Sequence, residues 1–350
     1  MSLPLSVLDL SPVAEGVPAS RALHNTLHLA TVADRLGYAR YWLAEHHNLP
    51  AMACPSPEVM IGQVAARTRR IRVGAGGIML PNHSPLRIAE AFRVLEALYP
   101  GRIDLGVGRA PGTDGVTAYA LRRGAHHDDA PSLIAELLAY VDGGFPDDHP
   151  FRGVTAEPRD VPLPPLYVLG SSDFGARLAA TLGVGFAFAR HMNPRGAEEV
   201  MGLYRASFRP GRLAEPHAIL AVSAVCADTA GRAEELVSSM GLAVLRMRLG
   251  RPTPLPSPRD AMAARLSDGE ADEIRRYRRA QVVGEPGAVR DEIAALAERT
   301  AADEVMVLTM VYDHAERVRS YQLLAEAFAL DGAGADLPDP DWTPAVPAAG

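Results

Sequence analysis

The sequence predicts an α/β fold, a parallel (β/α)8 (TIM) barrel with insertions and with its active site at the C-terminal ends of the strands. Three observations lead there. Eight short β-branched and leucine-rich runs alternate with helical segments through most of the 350 residues, and such alternation argues for a parallel sheet covered on its outer face. Eight is also the number at which such a sheet closes. The runs end in histidine, glycine, arginine or serine, as in a barrel whose ligands collect at strand C-termini. An open doubly wound sheet is the runner-up, and it typically carries a glycine fingerprint after its first strand. Here that strand ends Asp9-Leu10-Ser11-Pro12, with no such run.

Leu5–Asp9 is the first strand, and Leu23, Leu27, Ala30 and Asp34 at helical spacing define a helix from about Ser20 to Leu36. Tyr41–Ala44 is the second strand; Ser56, Pro57 and Glu58 open a helix to about Arg67. Ile71–Ala75, the helix Pro85–Leu98, Ile103–Val107 and the amphipathic helix Ser132–Tyr140 follow. A proline-rich insertion fills 145–165. Leu166–Leu169 with the helix Ser172–Leu182, and Gly185–Ala189 with a helix from Pro194 to Phe208, continue the alternation. Then come Ile219–Cys226, the helix Gly231–Met247, a second excursion over 248–284, a helix over Ala288–Thr300, the strand Glu304–Leu308 and a helix to Leu330. The expected organisation is one domain over 1–330 and a flexible Ala/Pro/Asp/Gly-rich tail over 331–350.

An apolar content of 48% with 22% charged residues is that of a globular chain, and a net charge of −7 leaves no basic footprint for nucleic acid or anionic membrane. No apolar run approaches the roughly 18–20 residues of a spanning helix, so a cytoplasmic protein is expected. Cys54 and Cys226 are too few for a disulfide framework. All 35 basic residues are arginine. Schiff-base and pyridoxal-phosphate chemistry and P-loop phosphoryl transfer, which need a lysine, are thereby excluded.

The strand ends carry the candidate chemistry. Strand 2 runs into Glu45-His46-His47, two adjacent bases at a barrel mouth. One of the two rings is expected to pack and the other to face a pocket. Strand 3 runs into Gly76-Gly77, where the backbone is free to approach a flat ligand or to form an ordinary loop. Arg109 follows strand 4, as a phosphate-holding cation or a surface ion-pair partner. Gly170-Ser171-Ser172 open onto a helix, where free amides and hydroxyls suit an anion, or where Ser172 simply caps. The histidines His46, His47, His83, His126, His127 and His149 show no spacing that places two rings on one ion, so no metal is expected.

Four segments, GYARYWLAEHHN (37–48), RIRVGAGGIMLPNHSPLRIAE (70–90), GRIDLGVGRAPGTD (101–114) and YVLGSSDFGARLAATLGVGFAFA (167–189), together resemble the bacterial luciferase-like flavin monooxygenase family. The resemblance is to the wider family and not to a light-emitting luciferase. It implies a barrel binding reduced FMN at its C-terminal face, with His46 as active-site base or proton donor. Gly76-Gly77 match a pair often joined by a cis peptide beneath the flavin, Arg109 a phosphate-binding arginine, and Gly170, Ser171 and Ser172 a phosphate-cradling helix start. Gly108 stands where the luciferase catalytic subunit has a reactive cysteine, and Gly175 where it has a phosphate-contacting threonine. The implied activity is oxidation of a small apolar molecule, such as an aldehyde or ketone, by O2. A separate flavin reductase would supply the reduced FMN, and the protein would be a homodimer. Met79, Trp42 and Phe188 would line the pocket, with 248–284 as a lid. A deazaflavin-dependent hydride-transfer enzyme on the same fold and a non-catalytic flavin-binding protein are the alternatives.

Overall fold

The computed structural model describes residues 3–121 and 130–332. The chain runs β1 (Leu5–Asp9), α1 (Ala19–Leu36), β2 (Arg40–Leu43), α2 (Pro57–Arg67), β3 (Arg72–Ala75), β4 (Ile78–Met79), α3 (Pro85–Leu98), β5 (Ile103–Gly108), α4 (Gly115–Ala120) and α5 (Ala130–Asp142). It continues with β6 (Leu166–Gly170), α6 (Asp173–Leu182), β7 (Gly185–Ala189), α7 (Ala197–Ser207), β8 (Ala218–Cys226) and α8 (Ala230–Arg248). Last come α9 (Pro258–Met262), α10 (Asp268–Arg278), β9 (Val282–Gly284), α11 (Pro286–Thr300), β10 (Glu304–Leu308) and α12 (His314–Ala327). All strand pairings between these elements are parallel, in the order β10-β1-β2-β3-β5-β6-β7-β8, and β8 pairs with β10 to close the ring. The result is a (β/α)8 barrel, and the open-sheet alternative is wrong. The short β4 extends β3 along β5, and β9 pairs with the end of β8 outside the ring.

Strand alternation sorts side chains into two layers. Tyr41 and Leu43 of β2 face outward into the core shared with the helices, whereas Trp42 and Ala44 belong to the barrel interior. The outer layer is apolar, with Ile61, Ile88, Phe92, Phe186 and Leu324 fully buried. Gly37 and Gly183 stop α1 and α6 with φ of +85° and +61°, the left-handed turn that glycine adopts without strain. Inside, the N-terminal ends of the strands are plugged by charge. Arg40 donates to Asp104 at 2.7 Å and to Glu304 at 2.9 Å, Arg72 to Asp104 at 2.5 Å, and Trp42 Nε1 to Asp104 at 3.1 Å. With that end sealed, the C-terminal ends of the strands form the open mouth.

The predicted strands coincide with the observed ones to within two residues, and the 145–165 insertion is irregular. Within 248–284 the structure has α9, α10 and β9, and Leu255 is buried where its amide and carbonyl bond Val13 and Glu15 at 2.8 Å each. From residue 333 the expected tail lies outside the described residues, as do His126 and His127. Among the described residues no helix is long and apolar enough to cross a membrane.

Candidate active site at the barrel mouth

The chain leaves β2 with Ala44, whose amide bonds the Asp9 carbonyl at 3.2 Å, so Glu45 and both histidines start from a fixed point. Glu45 is fully buried. Its carboxylate accepts from His47 Nε2 at 2.8 Å, the Met79 amide at 2.8 Å, Asn82 Nδ2 at 3.0 Å and His83 Nε2 at 2.9 Å. Burial pushes its pKa up, but the hydrogen bonds from His83, Asn82 and His47 outweigh it and the carboxyl sits below its usual range. His47 is therefore the packed member of the pair, with its backbone also held by Gly112 and Thr113.

His46 is the other member. Its amide bonds the Cys54 carbonyl at 3.1 Å, and its Nδ1 is buried with no hydrogen-bond partner. Burial lowers its pKa to about 4, so the ring is neutral at physiological pH. Across the mouth, four strands round the ring, His191 follows the end of β7. Its Nδ1 is also buried without a partner, and burial lowers its pKa to about 4. The two rings are near enough to couple electrostatically. Sequence reading missed His191 because Arg190-His191-Met192 carries no motif; the one available signal was its place just past a strand end.

Next to β2 in the ring, β3 runs into the Gly76–Gly77 peptide, and it is cis. A Cβ at Gly76 would stand 2.8 Å from Leu8 Cδ1, and one at Gly77 2.8 Å from the Gly106 carbonyl oxygen. Both glycines are thus required by packing below the mouth, apart from any ligand above it. Met79 covers Gly108, where a Cβ would lie 3.0 Å from Met79 Cε. The space beside Gly108 is filled by a thioether.

On the neighbouring strands, Gly170, Ser171 and Ser172 lead into α6. Ser172 takes the N-cap backbone position, yet its hydroxyl makes no capping bond, and the Ser171 carbonyl is held by Asn193 at 2.9 Å. Arg109 leaves β5 beside this helix start, its guanidinium 4.7 Å from the centroid of the Phe174 ring. The structure brings Arg109, Ser171 and Ser172 to one edge of the mouth. Uncapped amides, a hydroxyl and a cation fit a phosphate, and the two unpartnered imidazole nitrogens fit a polar ring system reaching the middle. The residues therefore suit a flavin or deazaflavin mononucleotide moiety.

Of the three expected lining residues, Trp42 belongs to the interior and Met79 borders the mouth. Phe188 does not line it. That side chain lies with Phe186 in the layer between barrel and helices, because residues two apart on a strand share a face. The apolar wall instead includes Met52 after β2, Met240, Ala243, Val244 and Met247 of α8, and Met310 after β10, around a narrow cavity of about 30 Å3. Among the described residues, no cluster of three or more histidine, cysteine or acidic side chains is placed to hold a metal.

The luciferase-like monooxygenase family model matches residues 3–304. The chain belongs to that family. A luciferase-like monooxygenase of Escherichia coli K12 is 41% identical over 92% of this chain and 96% of its own length. The N-acetyl-S-alkylcysteine monooxygenase of Bacillus subtilis is 36% identical over 92% and 97%. Among solved structures, apo-MsnO8 superposes with a TM-score of 0.85 at 40% identity, covering 94% of this chain and 98% of that one. Family membership makes the protein an oxidoreductase. The same fold at lower identity is found in the FMN complex of the oxygenating constituent of 3,6-diketocamphane monooxygenase from Pseudomonas putida (19%, TM-score 0.69) and in the coenzyme F420-dependent tetrahydromethanopterin reductase of Methanopyrus kandleri (17%, TM-score 0.62).

Proposed function

We propose that the protein is a monooxygenase that uses reduced FMN and O2 to oxidise a small apolar substrate, an aldehyde, a ketone or a thioether. The observation that carries this reading is His46, a neutral ring whose buried Nδ1 has no protein partner at the mouth of a luciferase-like barrel. When bound, the reduced cofactor supplies two electrons, so that one oxygen atom enters the substrate and the other leaves as water. Arg109, Ser171, Ser172 and the first amides of α6 hold the phosphate. Gly76 and Gly77, which admit no side chain, would leave room for the flat cofactor ring. His46, kept neutral by burial, accepts or returns a proton at Nδ1. The methionine-walled cavity takes the apolar part of the substrate and keeps water out, and movement of Pro252 and Thr253 in the 248–284 segment, which border it, would open it. The thioether is included because the B. subtilis relative is named for an S-alkylcysteine substrate. A separate reductase supplies the reduced cofactor, and the protein works as a homodimer.

The test is rapid mixing of anaerobic protein, loaded with reduced FMN, with oxygenated buffer while flavin absorbance is recorded. Reoxidation is expected to differ from that of free reduced FMN, and His46→Ala is expected to lower substrate oxidation at least 100-fold with FMN affinity changed less than 3-fold. Failure to bind reduced FMN, or reoxidation identical to free solution, would favour hydride transfer with a deazaflavin coenzyme. Unchanged turnover in His46→Ala would favour a non-catalytic flavin carrier.

A further inference from the structure

A cavity of about 220 Å3 that shares no lining residue with the proposed flavin site lies where the N-terminal ends of α1 and α12 flank the loops after β1 and β10. Its polar lining is Arg21, Asn25, Tyr312, Asp313, His314 and Arg317. The two carboxylates there are engaged through at least one oxygen each. Asp313 caps α12 through Ala315 and Glu316 amides at 2.7 and 3.1 Å. Asp9 behind it accepts from Arg317 Nη2 and the Ser11 amide at 2.7 Å each, and from the Tyr41 hydroxyl. Some of the donors are not used, although the Tyr312 hydroxyl donates to the Glu15 carbonyl at 3.1 Å. The Arg317 side chain is 1% exposed, its Nε donates to the Thr309 carbonyl at 3.0 Å, and its Nη1 is buried with no partner. Among the described residues, no hydrogen bond or ion pair engages the half-buried guanidinium of Arg21 or the amide of Asn25.

We infer that this cavity is a second ligand site, specific for a small oxyanion, a carboxylate or a phosphate. A buried guanidinium nitrogen left without an acceptor is costly, and an anionic oxygen removes that cost. Arg21 supplies a charge not neutralised by a partner, and Asn25 adds a neutral donor that favours an oxygen ligand. The volume exceeds the roughly 150 Å3 that admits a benzene-sized guest, so the site holds an organic acid as well as inorganic phosphate. The proposal is independent of the reaction assigned to the barrel mouth.

Calorimetric titration of the full chain with inorganic phosphate, and separately with benzoate, tests it. FMN is kept saturating so that the phosphate edge at α6 is blocked; Arg109→Ala protein serves as the background if FMN does not bind. One anion per chain is expected, with at least 10-fold weaker binding in Arg21→Gln and in Asn25→Leu. Arg317 is left intact, because removing it strands the Asp9 carboxylate in the core. Binding of phosphate alone identifies a phosphate site, and binding of benzoate alone a carboxylate site. No binding of either anion, or equal affinity in both variants and wild type, would overturn the inference.

Discussion

The carboxylate of Glu45 gathers donors from His47, Met79, Asn82 and His83, on the two loops that follow the paired strands β2 and β3. Glu45→Ala would leave those donors facing an apolar gap, and unmade bonds of this kind cost more than made ones contribute. The expected loss is about 3–5 kcal/mol for Glu45→Ala and about 1–2 kcal/mol for Glu45→Gln, read from the urea midpoint. Equal effects of the two substitutions would mean that the charge and paired acceptor oxygens of the carboxylate, and not the volume it fills, govern the site. The division of labour between His46 and His47 was legible in the sequence, because adjacent residues in extended chain face opposite ways. Glu45 as the anchor was not, since residues 82 and 83 are far from it in sequence. His191 escaped for the same reason: its relation to His46 exists only across the closed ring.

At the scale of elements, the start of α6 and the loop after β5 form the anion edge. If Arg109 and the α6 amides hold a phosphate, Arg109→Ala should weaken FMN binding about 10-fold, in keeping with one charge-assisted hydrogen bond. Riboflavin, which lacks the phosphate, should bind wild type and variant alike. A matching loss for riboflavin would place Arg109 under the ring and not at the phosphate. The helix start at Ser172 was readable from Gly170-Ser171-Ser172, but the freedom of its hydroxyl was not, because capping geometry depends on where β6 delivers the chain. β4 and β9 were also unreadable. Their two and three residues carry too little periodicity, and they exist only by pairing with β5 and β8.

Over the whole molecule, burial holds His46 and His191 near pKa 4 and His314 near 3, each below the usual 6.5. The unfolded chain therefore binds more protons than the folded one as pH falls below 6.5, and stability must fall with it. The carboxyls of Asp9 and Glu45, also held below their usual range, add to the loss at still lower pH. A tenfold difference in proton affinity between folded and unfolded chain is worth about 1.4 kcal/mol, so the three rings together account for about 3–5 kcal/mol between pH 7 and pH 5. The urea midpoint should drop accordingly, and His191→Asn should reduce the drop by about a third; a midpoint flat from pH 7 to 5 would show that these rings titrate normally. The sequence by itself determined the barrel, the order of its strands and the end at which polar residues collect, because these follow from alternation and from residues within a few positions of each strand end. Tertiary structure alone decided that His191 stands across the mouth from His46 and that Arg21, Asn25 and Arg317 share a cavity. Those are relations between distant segments, fixed by the pairing of β10 with both β1 and β8 that completes the ring and not by any local pattern.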